Sequence, residues 1–441
     1  MNKKLKKILF SIKMKKWGNQ TDLSLQFFDY GKHNRVPIQF IHCILDIKIA
    51  MAEANYKVGK LPLEKRNAIK TACRLILDSD KYNDRFVTSY WQTGSGTQIH
   101  MNVNEVVALL ASTTKLHVDP HDDVNMSTSS NDVIPTALQF FIWKENKSLC
   151  TELENWLKTI KLQSEKFQNK VKLGRTHLQN ALPVSFGQIW KGYYSVLHNC
   201  LKNIQAAMDG IFELPIGGTA VGTGVHTSPT VIHNFIKIFY RNTGMLFRKP
   251  SNYFYLTEYH SNIQVYMLAV YNLATVIYKT VNDIRFMSSN TYSEIKIPGN
   301  EPGSSIMPDK VNPTQCEALL MICVQVFGNQ SSIDFACSQG NFELNLFKPL
   351  LFKNVSENLE LLTQGIRHFN KFCMRGIEPI EDSKKIFDNP INLTLFSDTY
   401  SYAVVTKMVE LWRKIGFSEF CKQNKKLEKK LHDKKFLMNQ R

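Results

Sequence analysis

Between residues 251 and 297 the chain contains neither Gly nor Pro, and seven apolar residues inside that stretch recur at steps of four and three: Ile263, Met267, Val270, Ala274, Ile277, Val281 and Ile284. That spacing puts all seven on one stripe of an α-helix and sustains it over three heptads, as in a helix packed lengthwise against other helices. A second stretch without Gly or Pro, 136–173, predicts about 57 Å of helix at roughly 1.5 Å per residue. It is opened by Ser129, Ser130, Asn131 and Asp132 ahead of Pro135, a good helix start. Alternating strand patterns bounded by turns are scarce, so the expected class is all-α, an elongated bundle rather than a wound sheet.

The 441 residues allow about three domains at roughly 150 each. No purely apolar run exceeds 318–324, which is too short to cross a bilayer and argues against a membrane partner. A formal charge of +17 raises the question of nucleic acid, but its distribution argues against that partner. Residues 1–16 hold seven Lys and no acid, and 413–441 hold ten basic residues against Glu419, Glu428 and Asp433, so each end carries +7. The intervening 17–412 keeps 38 basic and 35 acidic residues, a net of +3, and the ends are read as solvated basic tails. Nine Cys without a CxxC pair fit reduced thiols in a cytoplasm better than a disulfide framework. The apolar part of the N-terminus is interrupted by Ser11 and shorter than a secretory core requires.

Four segments are small, polar and rich in Gly, Ser, Thr and Asn within an otherwise bulky chain: 93–104, 125–132, 174–179 and 303–315. Where such a segment leads into a helix, free backbone N–H groups, hydroxyls and amides can hold carboxylates or phosphates. Each alone is an ordinary loop or cap; four together point to a site. The Gly217–Gly224 run lacks the GxGxxG order and preceding strand of a dinucleotide site. His117 and His121 stand four apart, but Pro120 opposes a helix there and no third metal ligand is evident. His177 lies among the donors Arg175, Thr176 and Gln179, a credible anion-facing group. Ser304 sits between Gly303 and Ser305 with Lys310 six residues on, so backbone donors and a cation could stabilise its alkoxide.

The run GSSIMPDKVNPTQCEA, Gly303 to Ala318, resembles the signature of the aspartase/fumarase superfamily. WQTGSGTQ, VNMSTSSND, GRTHLQNALP, GGTAVGTG and GNFELNLFKP stand in the order and spacing of class II fumarases, and the Pro-Thr-Gln-Cys-Glu continuation favours fumarase over aspartase. The resemblance covers about 17–378. It implies a three-domain fold with a central long-helix bundle: a basic tail at 1–16, an N-terminal helical domain at 17–132, the bundle at 133–375 and a small C-terminal domain with a basic tail at 376–441. It also implies a homotetramer whose active sites are each built from three subunits, a fumarate or L-malate substrate, and no metal or organic cofactor; the cysteine usage and the N-terminus make the expected location cytoplasmic.

Carried over by position, Ser304 is the base that removes the C3 proton of malate, with Lys310 and Asn312 among the donors that hold the resulting aci-carboxylate. His177, paired with Glu317, acts on the departing hydroxyl; a carboxylate partner orients an imidazole and keeps a proton available. Ser95, Gly96, Thr97, Ser129, Ser130, Asn131, Thr176 and Ser305 complete the substrate-binding set. Departures are Asp309 where the family loop has Gly, His100 in place of Asn, Leu23 in place of Arg, and Asp119 in place of the His of a second, non-catalytic dicarboxylate site. His100 would exchange an amide donor for a titrating one. The alternatives are an aspartase-type ammonia-lyase and a structural homologue that has lost turnover.

Overall fold

The computed structural model describes residues 16–382 and 386–438. Fifteen of the sixteen residues expected as an N-terminal basic tail lie outside the described residues; the sixteenth, Lys16, is ion-paired with Asp84. The elements in chain order are α1 Asn19–Phe28, α2 Ile38–Lys57, α3 Leu63–Leu77, α4 Thr97–Ala111, α5 Ser130–Lys166, β1 Val171–Thr176, β2 Gln179–Ser185, α6 Phe186–Ile211, α7 Pro229–Thr243, α8 Tyr253–Glu258, α9 Ser261–Met287, β3 Ile295–Lys296, α10 Thr314–Ser338, α11 Lys348–Phe372, β4 Glu378–Pro379, α12 Tyr402–Ile415, α13 Phe417–Gln423, α14 Lys425–Leu431 and α15 Lys434–Met438. The only sheets among the described residues are two antiparallel pairs, β1 with β2 and β3 with β4. No helix among them is long and apolar enough to cross a membrane.

The chain forms two compact units. One comprises residues up to Leu149 together with Asn203–Asn272 and Gln325–Leu361; the other comprises Cys150–Lys202, Leu273–Val324 and residues from Leu362 onward. In the first, Phe352 of α11 is the hub, stacked on Phe40 at 3.9 Å and met edge-on by Phe141 at 5.2 Å. A second aromatic group joins Phe140, Phe235, Phe239 and Phe247. In the second unit Trp156 packs edge-on against Phe369 at 5.3 Å, and Trp190 buries its ring while Nε1 donates to Gln163 Oε1 at 2.9 Å. A buried indole of this kind keeps its polar atom satisfied.

All seven residues of the α9 seam are fully buried. The helix nevertheless covers only part of the stretch that lacks Gly and Pro. His260 takes a left-handed backbone (φ 55°) between α8 and α9, and beyond Met287 a turn with Ser293 at φ 48° leads to β3. The helix expected over 136–173 begins earlier and ends at Lys166, because Val171 onward pairs in a hairpin.

Residues 413–438 are not a tail. Trp412, Phe420, Leu427 and Leu431, with Leu393, Phe396 and Val405, form a buried cluster, so α12 to α14 fold around an apolar centre while their Lys residues face water. The nine Cys form no disulfide and eight are buried.

Truncating a fully buried seam residue removes transfer free energy and leaves a cavity. Ile277→Ala is expected to cost about 2–5 kcal/mol, read as a lower urea midpoint at fixed protein concentration; an unchanged midpoint would contradict the packing described.

Candidate active site

Two of the polar segments meet in the first unit. Gly96 caps the N-terminus of α4 with φ 76°, a left-handed conformation that Gly adopts without strain. Ser95 Oγ lies 2.7 Å from Thr97 Oγ1, which lies 2.9 Å from Ser130 Oγ in the first turn of α5. Ser95, Thr97 and Ser130 are thus one hydroxyl chain at two helix N-termini, where unpaired N–H groups and the helix dipoles favour a carboxylate. Asn131 donates Nδ2 to Ala220 O at 2.7 Å, and Ser129 Oγ accepts from Asn131 N at 3.3 Å.

Beneath these segments lies a buried polar floor that sequence reasoning missed. Lys48 of α2 is buried and donates to Asn125 Oδ1 and Thr128 Oγ1, each at 3.2 Å. Burial lowers its pKa to about 7, opposed by the Asp132 carboxylate. Asp132 is buried too, and burial raises its pKa to about 6 against hydrogen bonds from the backbone of Ser129, Gly217 and Thr219. A lysine flanked by Ile47 and Ile49 within the largely apolar segment CILDIKIAMAEA was the signal available. His100 is buried with Nε2 unpartnered, and burial first, then Lys48, holds its pKa well below the ordinary value. It is a neutral imidazole near pH 7, not the titrating donor expected.

The other departures also have local explanations. Leu23 is exposed on α1, in a cleft it shares with Phe27, Gln98 and Met101. Asp119 caps the turn Pro120–Val124 by accepting from His121 N at 2.7 Å and Asp122 N at 2.9 Å; the Asp122 hydrogen bond leads in lowering its pKa. Its carboxylate is therefore committed to backbone donors. Among the described residues no group of three or more His, Cys, Asp and Glu is arranged to hold a metal ion.

In the second unit Ser304 Oγ accepts from Ile306 N at 3.2 Å and Met307 N at 3.1 Å. Donors aimed at the oxygen leave the hydroxyl proton free and stabilise the alkoxide formed when it departs. The loop is closed at its base by Gly303 N donating to Lys310 O at 3.0 Å and Asn312 Nδ2 donating to Gly303 O at 2.5 Å. A Cβ on residue 303 would lie 2.1 Å from Lys310 O, so only Gly permits this closure. Asp309 adopts φ 66°, the left-handed region that suits the Gly of the family pattern. Lys310 and Asn312 line a cavity of about 580 Å³ with Arg285, Lys296, Ser289 and Asp309. Ser305 is exposed.

The segment 174–179 does not lead into a helix. Thr176 pairs with Gln179 across a two-residue hairpin whose central residues, His177 (φ 54°) and Leu178 (φ 60°), are both left-handed. This is the type I′ pattern that fits strand twist and normally calls for Asn-Gly. His177, Thr176 and Leu178 are exposed at the tip. Arg175 is not a free donor beside them: it pairs with Glu294 and lies 4.5 Å over the Tyr292 ring, while Lys172 reaches the same carboxylate at 3.0 Å. Glu317 is exposed in the first turn of α10, and among the described residues no hydrogen bond or ion pair joins it to His177 within one chain.

The lyase family matches residues 13–328. A class II fumarate hydratase of Staphylococcus epidermidis is 43% identical over 391 residues, covering 86% of this chain and 84% of the relative. The crystal structure of class II fumarase from Schistosoma mansoni superimposes with a TM-score of 0.89 at 33% identity, over 93% of this chain and 92% of that one. A fumarate lyase:delta crystallin structure from Brucella melitensis gives 0.90 at 27% identity, over 96% and 95%. The fold is accordingly the all-α fumarase/delta-crystallin type, and the chain belongs to the class II fumarate hydratases of the lyase family.

Proposed function

We propose that the chain catalyses the reversible hydration of fumarate to L-malate, a step of the tricarboxylic acid cycle. The observation that carries this reading is the Ser304 loop, in which an acceptor oxygen already receives two backbone N–H groups, with Lys310 in the same loop, in a chain 43% identical to a class II fumarate hydratase. In the malate-to-fumarate direction Ser304 takes the C3 proton, the electron pair moves into the neighbouring carboxylate as an aci-carboxylate, and Lys310 and Asn312 hold that charge. His177, oriented by Glu317, protonates the departing hydroxyl, which leaves as water. Ser95, Gly96, Thr97, Ser129, Ser130, Asn131, Thr176 and Ser305 bind the carboxylates. No metal or organic cofactor takes part. Residues 17–132, 133–375 and 376–441 are the N-terminal, bundle and C-terminal domains of the family fold.

The active form is a cytoplasmic homotetramer whose sites are completed between chains. This is supported by α10, which buries Cys316, Cys323, Val326 and Ile333 yet exposes Met321, Val324 and Phe335. With Glu317, Gly328 and Ser331 these form a stripe at steps of four and three, a second seam that one chain leaves uncovered. Glu317 heads that stripe, where a neighbouring chain would bring a His177.

A second reading, a homologue without turnover, is favoured by one observation, Asp309 held left-handed at a family Gly position. Loss of fumarate absorbance on incubation with the protein alone decides between the readings. The wild type is expected to consume fumarate without ammonia, and Ser304→Ala to lose about 10²–10⁴-fold in kcat. Equal inertness of the two would establish the second reading, and turnover only with ammonia would establish an ammonia-lyase.

Asp309 also adds negative charge near a dianion. At roughly 7 Å and an effective dielectric of about 40 the repulsion is about 1 kcal/mol. Asp309→Gly should therefore lower KM for fumarate about fivefold, less so at high salt; an unchanged KM at low salt would show that the side chain points elsewhere.

A further inference from the structure

The glycine-rich loop Gly217–Gly224 has no part in the chemistry above, and Asp132 sits between that loop and the carboxylate-binding segment. Its carboxylate is fully buried. Oδ1 accepts from Ser129 N at 2.9 Å; Oδ2 accepts from Gly217 N and Thr219 N, each at 3.0 Å. Asn131 reinforces the junction through Ala220 O. The same segment also rests on α2, through Lys48 and through Asn55, which donates to Met126 O at 3.1 Å and accepts from Ser127 Oγ at 2.7 Å.

We infer that Asp132 is a positioning residue: its buried carboxylate ties the backbone of 129–131 to the loop Gly217–Gly224, which serves as a brace for the substrate carboxylate site and not as a nucleotide cradle. The physical reason is charge. Three backbone N–H groups converge on one anion, and charge-assisted hydrogen bonds of that kind are shorter and roughly twice as strong as neutral ones. An amide in the same place has one acceptor atom and two donors, so it cannot satisfy all three N–H groups. Both oxygens are engaged by backbone and the side chain is fully buried, out of a ligand's reach, which makes its effect on substrate indirect, through the placement of Ser129, Ser130 and Asn131. A misplacement of binding groups by even 1 Å is enough to weaken a site strongly.

The inference rests on the proposed fumarate chemistry, and its test separates the two. In the intact oligomer, Asp132→Asn and Asp132→Ala are assayed for KM and kcat with fumarate, and hydrogen exchange is followed at 125–132 and 215–224. The expected result is a KM about tenfold higher for Asp132→Asn, equivalent to about 1.4 kcal/mol, and higher still for Asp132→Ala. kcat stays within about threefold, and exchange is faster in both segments. A KM equal to wild type, with or without a lower melting temperature, overturns the positioning role, as does exchange accelerated in one segment only. If neither variant folds, exchange in the wild type decides: slow exchange at Ser129, Gly217 and Thr219 in the free enzyme supports the brace and free exchange there overturns it. A wild type inert toward fumarate would sink the proposed function, while the exchange data on the variants would still report on the brace.

Discussion

A helix that carries large apolar residues on two faces is stable only when both faces are covered, and α10 is such a helix. Its buried flank supplies Cys316, Cys323, Val326 and Ile333 to the chain's own core, while Met321, Val324 and Phe335 stand in water at coiled-coil spacing. At roughly 25 cal/mol per Å², leaving three large side chains exposed forgoes several kcal/mol that another helix would recover. The same stripe begins with Glu317, so the demand for a partner and the proposed acid machinery share one helix face. A site divided between chains, as proposed, would make assembly and catalysis one physical requirement; within one chain no hydrogen bond or ion pair among the described residues joins Glu317 to His177.

The fold was legible where periodicity is enforced by burial. Every residue of the Ile263-to-Ile284 seam is buried, and three of the four polar segments lead into helices as their composition predicts. Helix ends were not legible from the absence of Gly and Pro, because the breaks fall on residues such as His260 and Ser293 that the surroundings force into left-handed backbone. The β1–β2 hairpin was hidden for the same reason: its turn is His-Leu rather than Asn-Gly. The C-terminal helices were masked by their lysines, since Trp412, Phe420, Leu427 and Leu431 are spread thinly among ten basic residues counted as a tail. Within the site, motif positions named the hydroxyls and the lysine of the loops, whereas Lys48 carries no motif and became visible only through its burial.

Left-handed backbone at a residue other than Gly costs on the order of 1–2 kcal/mol, and it persists only where neighbours over-determine it. His177, Leu178 and Asp309 are three such positions, and all lie in segments proposed to meet substrate. Each is held at its base. The hairpin strands are pinned where Arg175 and Lys172 share Glu294, and the Ser304 loop is closed by Gly303 and Asn312. Pinning fixes the backbone from which the side chains at these tips project, which lowers the ordering cost of binding.

The net charge of +17 says little about this chemistry, because +14 of it belongs by sequence to residues 1–16 and 413–441, outside the motif segments. Lys310 and Glu317 are exposed, whereas two charges beside the carboxylate-binding segments are out of water. Lys48 and Asp132 would each lose several kcal/mol on burial alone. Amide, hydroxyl and backbone partners offset part of that loss; burial draws the two pKa values toward each other, to about 7 and about 6, and the attraction between the two charges opposes that drift. In the proposed chemistry the hydroxyls of Ser95, Thr97 and Ser130 and the adjoining helix N-termini receive a carboxylate, while the Asp132 oxygens are taken up by backbone N–H groups.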